Sequence, residues 1–422
     1  MGDELSLEEL SEWTEVPVEE LRQWRSLGLI GAGEETRFRP EDVERARLVQ
    51  MFLRHGIGLE SIARTAVESG VLDRYAELLS ADAAGRRYSV AEAAELLDLD
   101  LELMRRIRSL TGLSTQGDTL NEVDIEVFRQ FKAARQAGFP EEALIQAVKV
   151  YADALSRVGE MEARLFHFYI YDRLREQGLS GPELLEASNV AGDRATAIME
   201  PVILYFHRRG FERALREVAV LRIAEEAGLT PKGEVPGQLQ RAIVFVDLSS
   251  FTPLAEAMGD DKAAAVLERF SALVREAAGR RDGRVVKQIG DAFMLVFADA
   301  RSAVACALEI EAGTAEETHF PAARSGVHWG PVLYREGDYV GANVNIAARV
   351  AAEAQRHQTL VTATARREAA ALPDVEFVRL DKRRLRGLAD ELELYEARPG
   401  GAEREKKVID PVCGMELGPQ EV

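Results

Sequence analysis

Cysteine is almost absent from this chain of 422 residues, with only Cys306 and Cys413. Two thiols cannot build a disulfide framework, so stability must come from the core, and this usage fits a reducing compartment. Long apolar runs are missing too: no segment reaches the ~18–20 continuous apolar residues that span a bilayer. The opening MGDELSLEEL is acidic and polar, the opposite of a secretory leader. A cytoplasmic protein without membrane attachment is therefore expected. Positive charge is the third deficit, with 53 Lys and Arg against 72 Asp and Glu and a formal net charge of −19. That balance disfavours nucleic acid as a partner, since such binding draws on a positive footprint. A local group of cations can still handle a charged nucleotide. His167 and His207, in the central helical region, could titrate near neutral pH.

What is present describes a globular protein of two or three domains, with 46% hydrophobic and 30% charged residues. The first half holds an internal repeat: Ser6–Leu27 matches Ser89–Leu110 at an offset of 83, and Asp42 and Gly56 match Asp124 and Gly138 at 82. Each copy predicts a short helix, a turn, a second helix, a loop and a longer amphipathic helix. Pro40 falls near the first position of the longer helix, where its missing N–H does no harm. The expected organisation is a helical unit over 1–82, its repeat over 83–150, a helical regulatory or dimerisation region over 151–228, and a Pro/Gly-rich linker over 229–239. An α+β domain over 240–398 and a tail over 399–422 follow. The aromatic stripes Phe166, Phe168, Tyr169, Tyr171 and Tyr205, Phe206, Phe211 read as core or a dimer face in preference to a cofactor pocket.

The chemistry concentrates in the last domain. Arg241–Thr252 (RAIVFVDLSSFT) and Val286–Phe293 (VKQIGDAF) are apolar, β-branched runs that each deliver one aspartate, Asp247 or Asp291, to an end or a turn. Two carboxylates brought together suit a divalent cation bound through oxygen, as Mg²⁺ or Mn²⁺ prefers at a phosphate-transfer site. Gly337–Arg349 (GDYVGANVNIAAR) adds Asp338, Asn345 and Arg349, the last two on one helix face. These residues point to a nucleotide.

In this order, FVDLSSFT, KQIGDAF, SGVHWGPV and GDYVGANVNIAAR, closed by LRGLADELELYE, resemble the catalytic domain of the class III nucleotidyl cyclases. The resemblance implies a ferredoxin-like sheet with flanking helices and active sites formed between two domains, head to tail, in a homodimer. It implies two Mg²⁺ or Mn²⁺ ions per site on Asp247 and Asp291, and Lys287 with Asp338 reading the purine as adenine. It places Asn345 on the ribose and Arg349 on the transition state, reaching across from the second subunit, while the aspartates and the Lys287–Asp338 pair share the first. The backbone of Ser249–Thr252, with Phe251 and Thr252 opening a helix, would hold the terminal phosphates, helped by Arg386. Ser250 departs from the glycine usual there. ATP is thus the expected substrate and an adenylate cyclase the expected activity, controlled by the helical half through an unknown ligand or signal. The alternatives are a guanylate cyclase, a non-catalytic nucleotide sensor, or a transcriptional regulator, since the first helical unit resembles the winged helix-turn-helix of MerR-type proteins. The tail segment Asp410–Met415 (DPVCGM) resembles the opening of a YHS domain, read as a truncated remnant.

Overall fold

The computed structural model describes residues 5–31, 37–69, 71–80, 87–112, 119–228, 233–317, 320–387 and 391–401. The DPVCGM tail with Cys413 lies outside them. The chain divides into two units, Met1–Glu217 and Val218–Val422.

In the first unit the repeat is written in helix caps. Helices Leu7–Thr14, Val18–Ser26 and Pro40–Arg54 recur as Val90–Leu97, Leu101–Thr111 and Glu122–Gln136. Ser6 and Ser89 each accept from the backbone N–H of a glutamate three residues on, and that glutamate accepts from the serine N–H at 2.7 Å. Both copies thus satisfy two otherwise orphaned donors at the start of their first helix. Asp42 and Asp124 perform the matching service for the third helices, accepting from the N–H of Arg39 and Asn121 at 2.9 Å. Each copy closes its own core, around Leu10, Trp24 and Phe38 in the first and Met104, Ile125 and Phe128 in the second. A cavity of about 870 Å³ is lined by both, including Trp13, Trp24, Arg47, Arg87 and Arg108.

Helix Glu141–Phe166 continues through a π-helical turn, His167–Tyr171, into Asp172–Glu176, and a 46-residue helix runs from Gly181 to Glu226 with Pro201 inside it. The aromatic stripes do not form a core within the chain. Phe168, Tyr169, Tyr205, Phe206 and Phe211 are each more than half exposed. A single helix cannot cover its own apolar face, so the core reading fails for these five rings, while Phe166 and Tyr171 are half-buried. His167 stacks on Tyr171 and His207 on Phe211, on the same exposed surfaces.

The second unit is built on one mixed sheet. Its elements are β1 (Gln238–Leu248), α1 (Phe251–Met258), α2 (Asp260–Arg280), β2 (Arg284–Ile289), β3 (Ala292–Phe297), α3 (Ala300–Glu316) and β4 (Ala323–Arg335). Then come β5 (Asp338–Val340), α4 (Ala342–Glu353), β6 (Gln358–Thr362), α5 (Ala363–Glu368), β7 (Val375–Arg379) and β8 (Leu394–Pro399). The strand order is β2-β3-β1-β4-β6-β8-β7, with β5 paired to β4, and the β4–β6 pairing is parallel. β1 is the hub, antiparallel to β3 on one side and to β4 on the other.

Alternation along β1 sorts its side chains between the two faces. Ala242, Val244, Val246 and Leu248 join Phe270 and Val274 of α2 and Ala303 and Val304 of α3. Ile243 joins Val344 and Ala347 of α4. Cys306 is buried in α3, where burial pushes its thiol up to about 12, as befits an inert core residue.

Helix α4 lies against the backbone of β4 because that strand lacks side chains at the contact. A Cβ on Gly326 would stand 2.1 Å from Ala351 N. Replacing Gly326 with Ala should therefore cost about 1–3 kcal/mol or more, as overpacked interiors do. Urea unfolding checks this, and an unchanged midpoint would mean that α4 does not seat on this strand.

Candidate active site

The antiparallel register of β1 and β4 sets Asp247 directly opposite Arg324. The guanidinium grips both carboxylate oxygens, Nε to Oδ1 at 2.6 Å and Nη2 to Oδ2 at 2.8 Å. This bidentate geometry is the strong form of the Arg–carboxylate bond. Both side chains are partly buried, at 22% and 31% exposure, so solvent screens the pair less than it would at the surface. Arg324 was not singled out from the sequence; only the cross-strand register brings it to Asp247.

Asp291 follows Gly290, whose φ of 63° makes the tight β2–β3 turn. Its Oδ2 accepts from Leu248 N at 3.3 Å, which fixes the second carboxylate beside the end of β1. Burial pushes the Asp291 carboxyl above the usual carboxylate range, and the negative charge of Asp247 adds to this. Two carboxylates close enough to repel each other, with a guanidinium compensating them, form an oxygen-donor set of the kind hard divalent cations take. The residues present thus fit the expected cation pair. Among the described residues there is no group of three or more His, Cys, Asp and Glu that could hold a metal.

Lys287 reaches Asp338 through a backbone irregularity. A bulge between Val285 and Lys287 shifts the β2–β3 register, so that Lys287 pairs with Met294. Val285 packs into the core beneath α2 and α3, whereas Met294 belongs to the cluster on the opposite face. The bulge therefore turns Lys287 onto the face of Met294; without it, Lys287 would share the face of Val285. There its ammonium donates to Asp338 Oδ2 at 2.5 Å, while Asp338 Oδ1 accepts from Tyr339 N at 2.8 Å.

Helix α1 opens at Phe251 and Thr252, whose amides occupy the first turn, where no intrahelical acceptor exists. Ser249 contributes no free amide, because its N–H donates to Ala322 O at 2.8 Å, which corrects the expectation for that residue. Ser250 takes the left-handed conformation with φ 60° and ψ 30°. The backbone path that glycine would follow is kept, at a conformational cost of about 1–2 kcal/mol. The ring of Phe251 packs on the main core, and Thr252 faces solvent.

Asn345 and Arg349 stand exposed on α4. Among the described residues, neither makes a hydrogen bond or ion pair with Asp247 or Asp291. Buried Leu385 anchors the following loop, in which Arg386 is exposed. A Cβ on the next residue, Gly387, would lie 3.6 Å from Arg349 Nη2, so the backbone at Gly387 neighbours Arg349. The structure thus brings Asp291 to the end of the strand that carries Asp247, joins Lys287 to Asp338, and leaves Asn345 and Arg349 unbonded to the carboxylates.

Residues 237–397 match the family model "Adenylate and Guanylate cyclase catalytic domain". They are a class III nucleotidyl cyclase catalytic domain. Residues 35–208 match the model "Adenylate cyclase regulatory domain". A pH-sensitive adenylate cyclase of Mycobacterium tuberculosis is 26% identical over 366 residues, covering 85% of this chain and 88% of that protein. An adenylate cyclase of Streptomyces coelicolor is 25% identical over 66% of this chain and 70% of its own length. One from Glutamicibacter nicotianae is 30% identical over 54% and 57%. A solved guanylyl cyclase overlays 39% of the chain at a TM-score of 0.36 and 19% identity.

The raised pKa of Asp291 has a measurable consequence for the cyclase domain. The folded protein keeps this proton to a higher pH than the unfolded chain, so stability falls as pH rises from the unfolded carboxylate pKa through the raised folded one. At neutral pH, above the unfolded carboxylate pKa, the penalty acts. Asp291→Asn should therefore raise the melting temperature in the absence of divalent cations by on the order of a few degrees. The gain should fade as pH drops through about 4 and vanish well below it, where both states are protonated. Thermal unfolding against pH checks this, and equal melting points at pH 7 would mean that the carboxylate carries no such penalty.

Proposed function

We propose that this protein is an adenylate cyclase that converts ATP into 3′,5′-cyclic AMP and pyrophosphate at sites shared by two copies of the chain, under the control of its helical half. The observation that carries this reading is a pair of paired groups in one domain: the carboxylates of Asp247 and Asp291, and the Lys287–Asp338 donor–acceptor couple. Relatives named adenylate cyclase, aligned over up to 85% of the chain, support it.

Adenine offers an acceptor at a ring nitrogen and a donor at its exocyclic amine, which a lysine and an aspartate complement. Lys287 and Asp338 already sit at hydrogen-bonding distance, so the base would insert between partners set for it. Guanine presents the reverse pattern and would favour a carboxylate in place of Lys287. Two Mg²⁺ or Mn²⁺ ions held by Asp247 and Asp291 would neutralise the α-phosphate and acidify the 3′-hydroxyl. Asp247 becomes available for that role when Arg324 releases it, and the freed guanidinium then lies beside the incoming phosphates. The amides of Phe251 and Thr252, with Arg386, would cradle the leaving pyrophosphate. The 3′-hydroxyl would give up its proton to solvent as its oxygen bonds to the α-phosphorus, and the bond from that phosphorus to the bridging oxygen of the β-phosphate would break, releasing pyrophosphate. Arg349 offers several fixed donors to the charge that builds on the phosphoryl oxygens, and Asn345 orients the ribose.

Asn345 and Arg349 are taken to act on the site of the second copy. Their exposure and separation from the aspartates support this, as do the exposed Ile289 beside the β2–β3 turn and Val340 after Asp338. The exposed aromatic stripes of the helical half offer a second surface for dimerisation.

Purified protein given ATP with Mn²⁺ or Mg²⁺ should form cyclic AMP, and chelation of the cation should abolish it. Asp247→Ala should lose activity by about a hundredfold or more, the loss expected when a metal-held transition state is forfeited. Absence of product from ATP and GTP alike would overturn the reading. For the shared site, mixing inactive Asp247→Ala with inactive Arg349→Ala should restore activity, because one of the two sites in each mixed dimer is intact. No recovery would place all the residues of a site in one chain.

A further inference from the structure

We infer that His328 is a positioning residue for catalysis, holding the first turn of α4 through Asn343 so that Asn345 and Arg349 meet the substrate in register. The inference rests on the cyclase reading above.

His328 lies on β4 at 6% exposure, between two elements distant in sequence. Its Nδ1 is 2.9 Å from Thr362 Oγ1 at the end of β6, and its Nε2 is 2.8 Å from Asn343 Oδ1 in the first turn of α4. The direction of each bond follows from its neighbours. The Asn343 amide nitrogen donates to Pro331 O at 2.5 Å, so its oxygen must face the ring as an acceptor. His328 therefore donates from Nε2 and accepts at Nδ1, where the Thr362 hydroxyl donates. Thr362 Oγ1 in turn accepts from Ala365 N at 3.4 Å, at the start of α5, and from the Thr364 hydroxyl at 3.0 Å, since its own proton goes to His328. One arrangement of protons satisfies the whole chain of groups, which is the condition under which a buried polar network specifies a single geometry. Burial lowers the pKa of His328, so the ring stays neutral and the arrangement persists at neutral pH.

Two further observations show why α4 needs this anchor. Its N-cap is Gly341, which has no side chain to cap the helix, takes a φ of 129° open chiefly to glycine, and lacks the Cβ that would stiffen the entering backbone. Room for the anchor is reserved on β4, where a Cβ on Gly330 would stand 2.9 Å from Asn343 Cγ. Buried Val344 and Ala347 set which face of α4 meets the sheet, but apolar contacts tolerate small sliding and rotation. The directional bond at Asn343 removes that freedom one half-turn before Asn345.

The test separates the bond from mere bulk. In His328→Gln the side-chain amide nitrogen falls where Nε2 was and keeps the donor to Asn343. In His328→Asn it falls where Nδ1 was and loses that donor. His328→Asn and Asn343→Ala should each lower kcat about ten- to a hundredfold, the cost of misplacing transition-state groups, with KM for ATP changed less than about twofold. His328→Gln should keep most of the wild-type kcat. The double variant His328→Asn with Asn343→Ala should be no slower than Asn343→Ala alone, because both remove one interaction. Melting curves of the same samples set the folded fraction for each rate, and Asn343→Ala carries the comparison if His328→Asn does not fold. A wild-type kcat in Asn343→Ala, an equal loss in His328→Gln and His328→Asn, or additive losses in the double variant would overturn the inference. A wild-type protein that makes no cyclic nucleotide would instead overturn the cyclase reading, and this inference with it.

Discussion

A slip of one residue between β1 and β4 would dismantle this site. The register sets Asp247 against Arg324, and β1 also pairs with β3, which leads back to the turn holding Asp291. Because side chains alternate with a period of two, a slip would turn Asp247 toward the helices and Val246 away from them. What forbids the slip is apolar: Ala242, Val244, Val246 and Leu248 have no place except beneath α2 and α3. The position of a charged group is therefore fixed by greasy neighbours that never touch substrate. Helices α2 and α3 matter to the chemistry chiefly because they hold that register.

Within this frame the site answers its own charges. Arg324 occupies both oxygens of Asp247, and Lys287 occupies Asp338. Each pairing lowers the cost of holding partly buried charge without a ligand, and each must be exchanged for substrate or cation contacts when the site fills. Asp291 is the member least well compensated, and its raised pKa records the mismatch. Left-handed Ser250 adds a local backbone cost at the mouth of α1. Such tension at a site built to bind something else is expected, and the large core around β1 supports it.

Much of this was legible in the sequence. The match of Ser6–Leu27 to Ser89–Leu110 at a fixed offset announced the helical repeat, and the structure adds the serine–glutamate caps that start both copies. The β-branched runs ending in Asp247 and Asp291 announced strands that deliver carboxylates, and the spacing of Asn345 and Arg349 gave one helix face. What escaped depends on partners far along the chain. Arg324 looks like any strand arginine until β4 is laid beside β1. The bulge that turns Lys287 leaves no composition signal, since Val285, Val286 and Lys287 would also suit a regular strand. The short elements β5, α5 and β7 are held by pairing and packing more than by their own propensity. The aromatic stripes left two readings open because apolar periodicity reports a buried face without saying which molecule buries it.

The position of β1 at the hub also carries a consequence for how the protein is made. Each helical repeat closes its core from residues close in sequence, so both can fold as they emerge. β1 is synthesised before either neighbour, and Arg324 follows Asp247 by 77 residues. At roughly 5–20 residues per second, that strand waits about 4–15 s with its apolar edge unpaired. During that interval the nascent chain carries a finished regulatory half and an unfinished, adhesive catalytic one. Slow translation between β1 and β4 would lengthen the period in which two neighbouring ribosomes could join their strands wrongly.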